Sequence, residues 1–182
     1  YPDLRERSAR ALVDLDFPGY SIGGLSVGEP KSEMFPLLGL LDGILPENKP
    51  RYLMGVGTPS DLVLAIERGV DMFDCVMPTR NARNGTAFTR FGRLNVKLAQ
   101  YSCDYRPIDE ACECICCRNY SRAYLRHLIN VAEIAGMRLL TIHNLHYYLS
   151  LVRSARLAIL ENAFTEFKES FFKLYKDEAD SV

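Results

Sequence analysis

The first half of the sequence predicts an α/β fold built on a parallel sheet. Three short apolar runs, at about 20–22, 51–54 and 70–76, are separated by stretches of helical length and character. Strand and helix alternating at this spacing make βα units, whose crossovers keep the strands parallel. Each run also ends in glycine or polar chemistry: Gly23-Gly24, Gly55-Val56-Gly57 and Asp74. Ligands of such sheets bind at the carboxyl ends of the strands. The three endings therefore point to a single active face.

The opening segment, 3–15, reads as a helix with Pro2 near its start and Leu4, Ala11 and Leu15 among its apolar positions. A helix over 32–45 follows the first strand, with Pro36 requiring a start after that residue or a kink there. Thr58-Pro59-Ser60-Asp61 opens the next helix, with Thr58 or Ser60 as its cap and Leu62 and Ile66 facing inward. After Pro78 the pattern changes. Residues 87–89 and 94–96 form a hairpin around Phe91-Gly92. Beyond Asn119 the chain is helical, with Leu125, Leu128, Ile129 and Ala132 on one face up to Gly136. Another helix begins near His143 and carries Tyr148, Val152, Ala155 and Ile159; the last carries Phe164, Phe167, Phe171 and Leu174. These stripes are assigned to the core and given no chemistry.

With 182 residues, 48% hydrophobic and 25% charged, the chain has the composition of a globular protein. No apolar run approaches the roughly 18 residues of a membrane span. Tyr1-Pro2-Asp3 leads into a charged amphipathic stretch with no initiator Met, which reads as a fragment or a processed chain. The net charge of −1 does not advertise nucleic-acid binding, but its distribution does. Between Cys75 and Cys103 there is no acidic residue, while Arg80, Arg83, Arg90, Arg93 and Lys97 all fall there. A local basic field of this kind suits a phosphate backbone, although charge alone fits an ordinary solvated surface equally well.

Six cysteines stand at 75, 103, 112, 114, 116 and 117. Four within six positions are too close to staple a small secreted scaffold, and they favour a metal in a reducing cytoplasm. Cys112-x-Cys114-x-x-Cys117 brings three thiolates into one loop, where Zn²⁺ would hold each at about 2.3 Å. A closed tetrahedral site needs a fourth ligand. The histidines available are His127 in mid-helix, His143 at an expected helix start, and His146; Cys116 adjoins Cys117 too closely for both to share one ion without strain, which leaves Cys114 with Cys116 open. Three thiolates and one imidazole leave no open position for water, so the site is expected to be structural.

Three segments then match one family in order and spacing: Gly23-Gly24-Leu25-Ser26-Val27-Gly28-Glu29, Tyr52-Leu53-Met54-Gly55-Val56-Gly57, and the run from Asp71 through Asp74 to Arg80. Arg83-Asn84-Gly85, the Cys112, Cys114 and Cys117 set, and Thr141-Ile142-His143-Asn144 continue the match. The chain resembles the C-terminal half of a tRNA-guanine transglycosylase of the bacterial type. That resemblance implies the C-terminal part of a (β/α)8 TIM barrel with an inserted zinc-binding subdomain. It divides the chain into barrel βα units at 1–78, a tRNA-contacting hairpin and zinc subdomain at 79–142, and C-terminal helices at 143–182.

The resemblance also implies an activity: exchange of the wobble guanine of GUN-anticodon tRNAs for a 7-deazaguanine base, in queuosine biosynthesis. Asp74 takes the place of the nucleophile; from strand geometry alone, Asp71 three residues earlier competes with it. Gly23, Gly24, Leu25, Glu29, Met54 and Gly55 resemble the base-binding segments. Gly55, Val56, Gly57, Thr58, Pro59, Ser60 and Asp61, with Thr79, Arg80, Asn81, Ala82 and Arg83, resemble the tRNA-contacting ones. The implied structural Zn²⁺ ligands are Cys112, Cys114, Cys117 and His143. Val27 fills space that a larger incoming base would need, favouring 7-aminomethyl-7-deazaguanine over queuine; Val27→Gly is expected to admit the larger base. Tyr124 and His127 fall where bacterial relatives form a homodimer. The resemblance further implies a cytoplasmic enzyme without membrane association, whose general acid/base lies in the other half, leaving the 182 residues inactive alone. A non-catalytic tRNA-binding or partner subunit is the alternative, against which the intact motif around Asp74 argues.

Overall fold

A computed structural model of the chain describes residues 1–25, 28 and 30–177. They form two compact units, 1–75 and 76–182.

The first unit alternates helix and strand: α1 (Pro2–Val13), β1 (Tyr20–Ile22), α2 (Lys31–Asp42), β2 (Arg51–Leu53), α3 (Pro59–Ile66) and β3 (Met72–Phe73). The strands are parallel and lie in sequence order, with Tyr20 opposite Arg51 and Leu53 opposite Phe73. Ile22, Leu25, Met34, Leu38, Leu41, Leu53, Val56 and Val70 form the apolar core. The α/β class expected from the alternation is the one observed.

Boundaries and phases differ in places. The third strand keeps two residues of the seven expected, because Val70 bonds back to Ala65 and Asp74 turns away after Phe73. α2 includes Pro36 in its interior rather than starting after it. Leu4 in α1 and Leu15 just beyond it are exposed, while Ala9 is buried and Val13 half-buried against the core. The inward stripe is therefore Arg5, Ala9 and Val13, one helical turn apart. Thr58 caps α3 by accepting from the Asp61 amide at 3.1 Å.

The second unit starts with a short helix, α4 (Met77–Arg83), and an antiparallel hairpin of β4 (Thr86–Thr89) and β5 (Gly92–Asn95). A 3₁₀ turn at Ala99–Tyr101 precedes the cysteine loop, and then come α5 (Ile115–Asn119), α6 (Arg122–Asn130), α7 (Ile134–Leu160) and α8 (Phe164–Leu174). Ala82, Ala87, Val96, Ile108, Cys116, Leu125 and Leu140 make its core. The hairpin, the cysteine loop and the last helices thus belong to one unit.

His143 is not at a helix start. It lies inside the 27-residue α7. The expected break at Gly136 falls instead at Ala132, which takes φ +56°, with Glu133 capping the new helix. Gly136 is a packing glycine: a Cβ there would stand 2.8 Å from the Cβ of Leu128 on α6. The aromatic stripe of α8 is not core either, since none of its residues is buried and Leu174 is exposed. Periodicity marks which face of a helix is apolar, not what covers that face. On α7, Tyr148 and Ala155 are buried but Ile159 is exposed.

Candidate active site and metal centre

The strand ends of the first unit bring together Gly23, Met54, Gly55 and Asp74. Asp74 is exposed and leaves β3 at its carboxyl end. Its Oδ1 accepts from the Tyr52 hydroxyl at 2.7 Å and from the Gly55 amide at 3.0 Å. Gly55 can offer that amide because it takes φ +73°, a conformation costly to a residue with a Cβ. The Tyr52 hydroxyl, followed by the Gly55 amide, holds the Asp74 carboxyl below its ordinary range. The same bond raises Tyr52, which stays a neutral donor. Asp74 is therefore an ionised carboxylate fixed through one oxygen.

Asp71, the competing carboxylate, serves the opposite end of the sheet. Its Oδ2 accepts from the Arg51 amide at 2.8 Å, at the amino end of β2. Arg51 itself is buried, its guanidinium paired with Asp42 and bonded to the Leu45 carbonyl. Asp71 thus belongs to a framework that closes the bottom of the sheet. Only Asp74 stands at the face where the strands end.

The loop after β1 is held from behind. Arg5 on α1 donates to the Gly23 carbonyl at 2.8 Å, and Gly24 takes φ +67°. A Cβ on Gly23 would lie 3.4 Å from the Met54 sulfur, so the thioether already rests against this bare stretch of main chain. Met54 is itself 45% exposed, an apolar contact facing solvent. Ser26, Val27 and Glu29, including the proposed base contact and the specificity position, lie outside the described residues.

The two segments assigned to tRNA divide by exposure. In 55–61, Gly55 is exposed and Thr58 is a half-buried cap, whereas Val56, Gly57, Pro59, Ser60 and Asp61 are buried. Asp61 pairs with Lys31 at 2.9 Å. In 79–83, Arg80 and Arg83 are exposed, Thr79 and Asn81 are half-buried, and Ala82 is part of the core. Asn81 spends its amide on the Met77 carbonyl at 3.0 Å.

In the second unit, Cys112, Cys114, Cys117 and His143 gather their ligand atoms within 4.8 Å of one another. His143 Nδ1 stands 3.6, 3.6 and 3.3 Å from the Cys112, Cys114 and Cys117 sulfurs. A tetrahedral ion with bonds of about 2.3 Å to sulfur and about 2.0 Å to nitrogen separates such atoms by roughly 3.6 Å. The set fits a four-coordinate metal. His143 Nε2 donates to the Phe88 carbonyl at 2.8 Å, which fixes the ring and leaves Nδ1 to the thiols. Burial lowers the pKa of His143, but the Cys112 and Cys114 thiols outweigh it and carry it up to about 9. Bonds from Cys112, Cys116 and Cys117 hold Cys114 far below the ordinary thiol range.

Two features outside the ligand set position this loop. Arg122, at the start of α6, donates to the Pro107 and Ile108 carbonyls at 2.8 and 2.9 Å, just ahead of Cys112. Asp104 accepts from Arg106 at 2.8 Å and Arg122 at 3.1 Å. Neither arginine nor Tyr52 was singled out in the sequence. Tyr52 alone left a signal, since it stands two positions before Met54 at the end of β2.

A family profile described as Queuine tRNA-ribosyltransferase matches residues 1–177. Queuine tRNA-ribosyltransferase of Desulforamulus reducens is 59% identical over 175 residues, covering 96% of this chain and 47% of that protein. The Listeria welshimeri protein of the same name is 59% identical, covering 96% and 46%. That of Moorella thermoacetica is 58% identical over 174 residues, covering 96% and 47%. The chain spans about half the length of the curated relatives it matches. It belongs to the queuine tRNA-ribosyltransferase family.

Proposed function

We propose that these residues form the C-terminal half of an enzyme exchanging the wobble guanine of GUN-anticodon tRNAs for 7-aminomethyl-7-deazaguanine, with Asp74 as nucleophile. One observation carries the reading: an ionised carboxylate at a parallel strand end, anchored by Tyr52 and Gly55 through a single oxygen. Oδ2, which neither donor engages, attacks the ribose C1′ as the bond to guanine breaks. The departing base takes its proton from an acid other than Asp74, because a group acting as nucleophile cannot also be that acid. The incoming base gives its ring N–H proton to that same acid group, now a base, and attacks C1′ as the Asp74 carboxylate leaves. Two inversions give net retention, as in a retaining glycosidase.

Gly23, Gly24, Leu25 and Gly55 let main chain approach a flat base, with Glu29 beside them, and Met54 packs on a ring face. Arg80 and Arg83 take tRNA phosphates or base edges, with the accessible Gly55, Thr58 and Thr79 as supporting contacts. Cys112, Cys114, Cys117 and His143 hold a structural Zn²⁺, which supplies no chemistry and stabilises the loop. Tyr124, exposed and stacked on Tyr120 at 5.5 Å, and His127 offer the homodimer contact. The enzyme works in the cytoplasm, and the remaining strands of its (β/α)8 barrel and its general acid/base come from the rest of the protein.

The test is exchange of labelled guanine into a GUN-anticodon tRNA by the full-length protein. Asp74→Asn should cost roughly 10³-fold or more in exchange, as loss of a nucleophile does, while tRNA still binds. Near-normal exchange by Asp74→Asn would remove the mechanism. Binding without any exchange by the unaltered protein would favour the partner-subunit reading.

A further inference from the structure

We propose that Asn144 is a positioning residue that ties the thiolate–imidazole site to α4, making the aim of Arg80 and Arg83 depend on the metal. The proposal rests on the reading that those two arginines meet tRNA.

Asn144 is fully buried, and its amide makes three bonds to main chain distant in sequence. Nδ2 donates to the Pro78 carbonyl in the first turn of α4 at 2.9 Å and to the Thr86 carbonyl of β4 at 3.0 Å. Oδ1 accepts from the Phe88 amide at 3.0 Å. The preceding residue, His143, takes the Phe88 carbonyl through Nε2 and faces the three thiols through Nδ1. Consecutive residues of α7 therefore hold both main-chain groups of Phe88, and the second of them reaches on to α4.

A buried amide tolerates little displacement, because each lost partner leaves a desolvated polar group behind. The bonds of Asn144 are thus satisfied together only when α7, β4 and α4 keep one arrangement. The metal site sets the position of α7 through His143. Asn144 passes that setting to α4, the helix from which Arg80 and Arg83 are exposed to solvent. Contacts to phosphate fix register and orientation, so a misdirected α4 weakens tRNA binding without touching the chemistry.

The experiment compares the full chain with Asn144→Asp, which keeps shape and an acceptor but loses both donated bonds, and with Asn144→Ser, which shortens the side chain. Metal content, affinity for a GUN-anticodon stem-loop RNA, and, in the intact enzyme, KM for tRNA against KM for the base are measured. Metal at the wild-type level, RNA affinity weakened roughly tenfold, and an unchanged KM for the base are expected. The weakening should not add to that of Arg80→Ala with Arg83→Ala. Wild-type RNA affinity in both Asn144 variants, when the arginine variants do weaken it, overturns the coupling. RNA affinity indifferent to the arginine variants removes the reading of α4 and the proposal with it. Loss of metal from both Asn144 variants assigns the residue to folding alone and also overturns it.

Discussion

At the scale of single residues, the site is a matter of which carboxylate stands where. Asp71 and Asp74 flank a strand of two residues, and the fold sends one to each end of the sheet. Tyr52 sets the ionisation of the one that counts. Its hydroxyl lowers Asp74, so the proposed nucleophile is ionised down to a pH below the ordinary carboxylate range. Tyr52→Phe removes the largest contribution to that shift and raises the carboxyl. Exchange by the full-length enzyme should then fall off at higher pH on the acid side, with a smaller change at neutral pH, read from the kcat/KM profile. An unmoved acid limb would show that Tyr52 does not tune the nucleophile.

At the scale of elements, two pieces of framework hold the loops that matter. Gly69 links α3 to β3 at φ +75°, where a Cβ would collide with the Arg51 guanidinium and the Asp42 carboxylate. Gly69→Ala should destabilise the first unit by at least about 1–3 kcal/mol, measured by denaturant titration. The second piece is Asp104, whose carboxyl the Arg106 guanidinium, followed by that of Arg122, holds well below the usual range. A depressed folded-state pKa contributes stability above the unfolded value, about 3.9, and that contribution disappears as pH falls through the folded value. The second unit should therefore lose stability below about pH 4, and Asp104→Asn should flatten that acid limb of a melting-temperature profile.

At the scale of the whole molecule, two compact units answer to different forces. Residues 1–75 fold around an apolar sheet-and-helix core, whereas 76–182 fold around a core that includes Cys114, Cys116 and Cys117. Metal binding by preorganised thiolates contributes directly to folding. Chelation should strip hydrogen-exchange protection from α5 to α7, a loss of several kcal/mol, and leave the amides of β1–β3 protected. Equal loss in both units would mean that the metal does not act locally.

The α/β class, the three strand ends and the Cys112-x-Cys114-x-x-Cys117 loop were legible in the residues alone, because alternation, turn chemistry and ligand spacing are local patterns. The resemblance in its motifs marked Asp74 and His143. Packing set what depends on contacts across 20 to 66 positions. It separated Asp71 from Asp74 through Arg51 and Tyr52, put His143 inside a long helix, and gave Asn144 its three partners. It also left the apolar face of α8 unburied where periodicity alone read core. A local pattern records which face of an element is apolar or which residues can bind. What that face meets is set by the packing of elements distant in sequence, which carries no local signature.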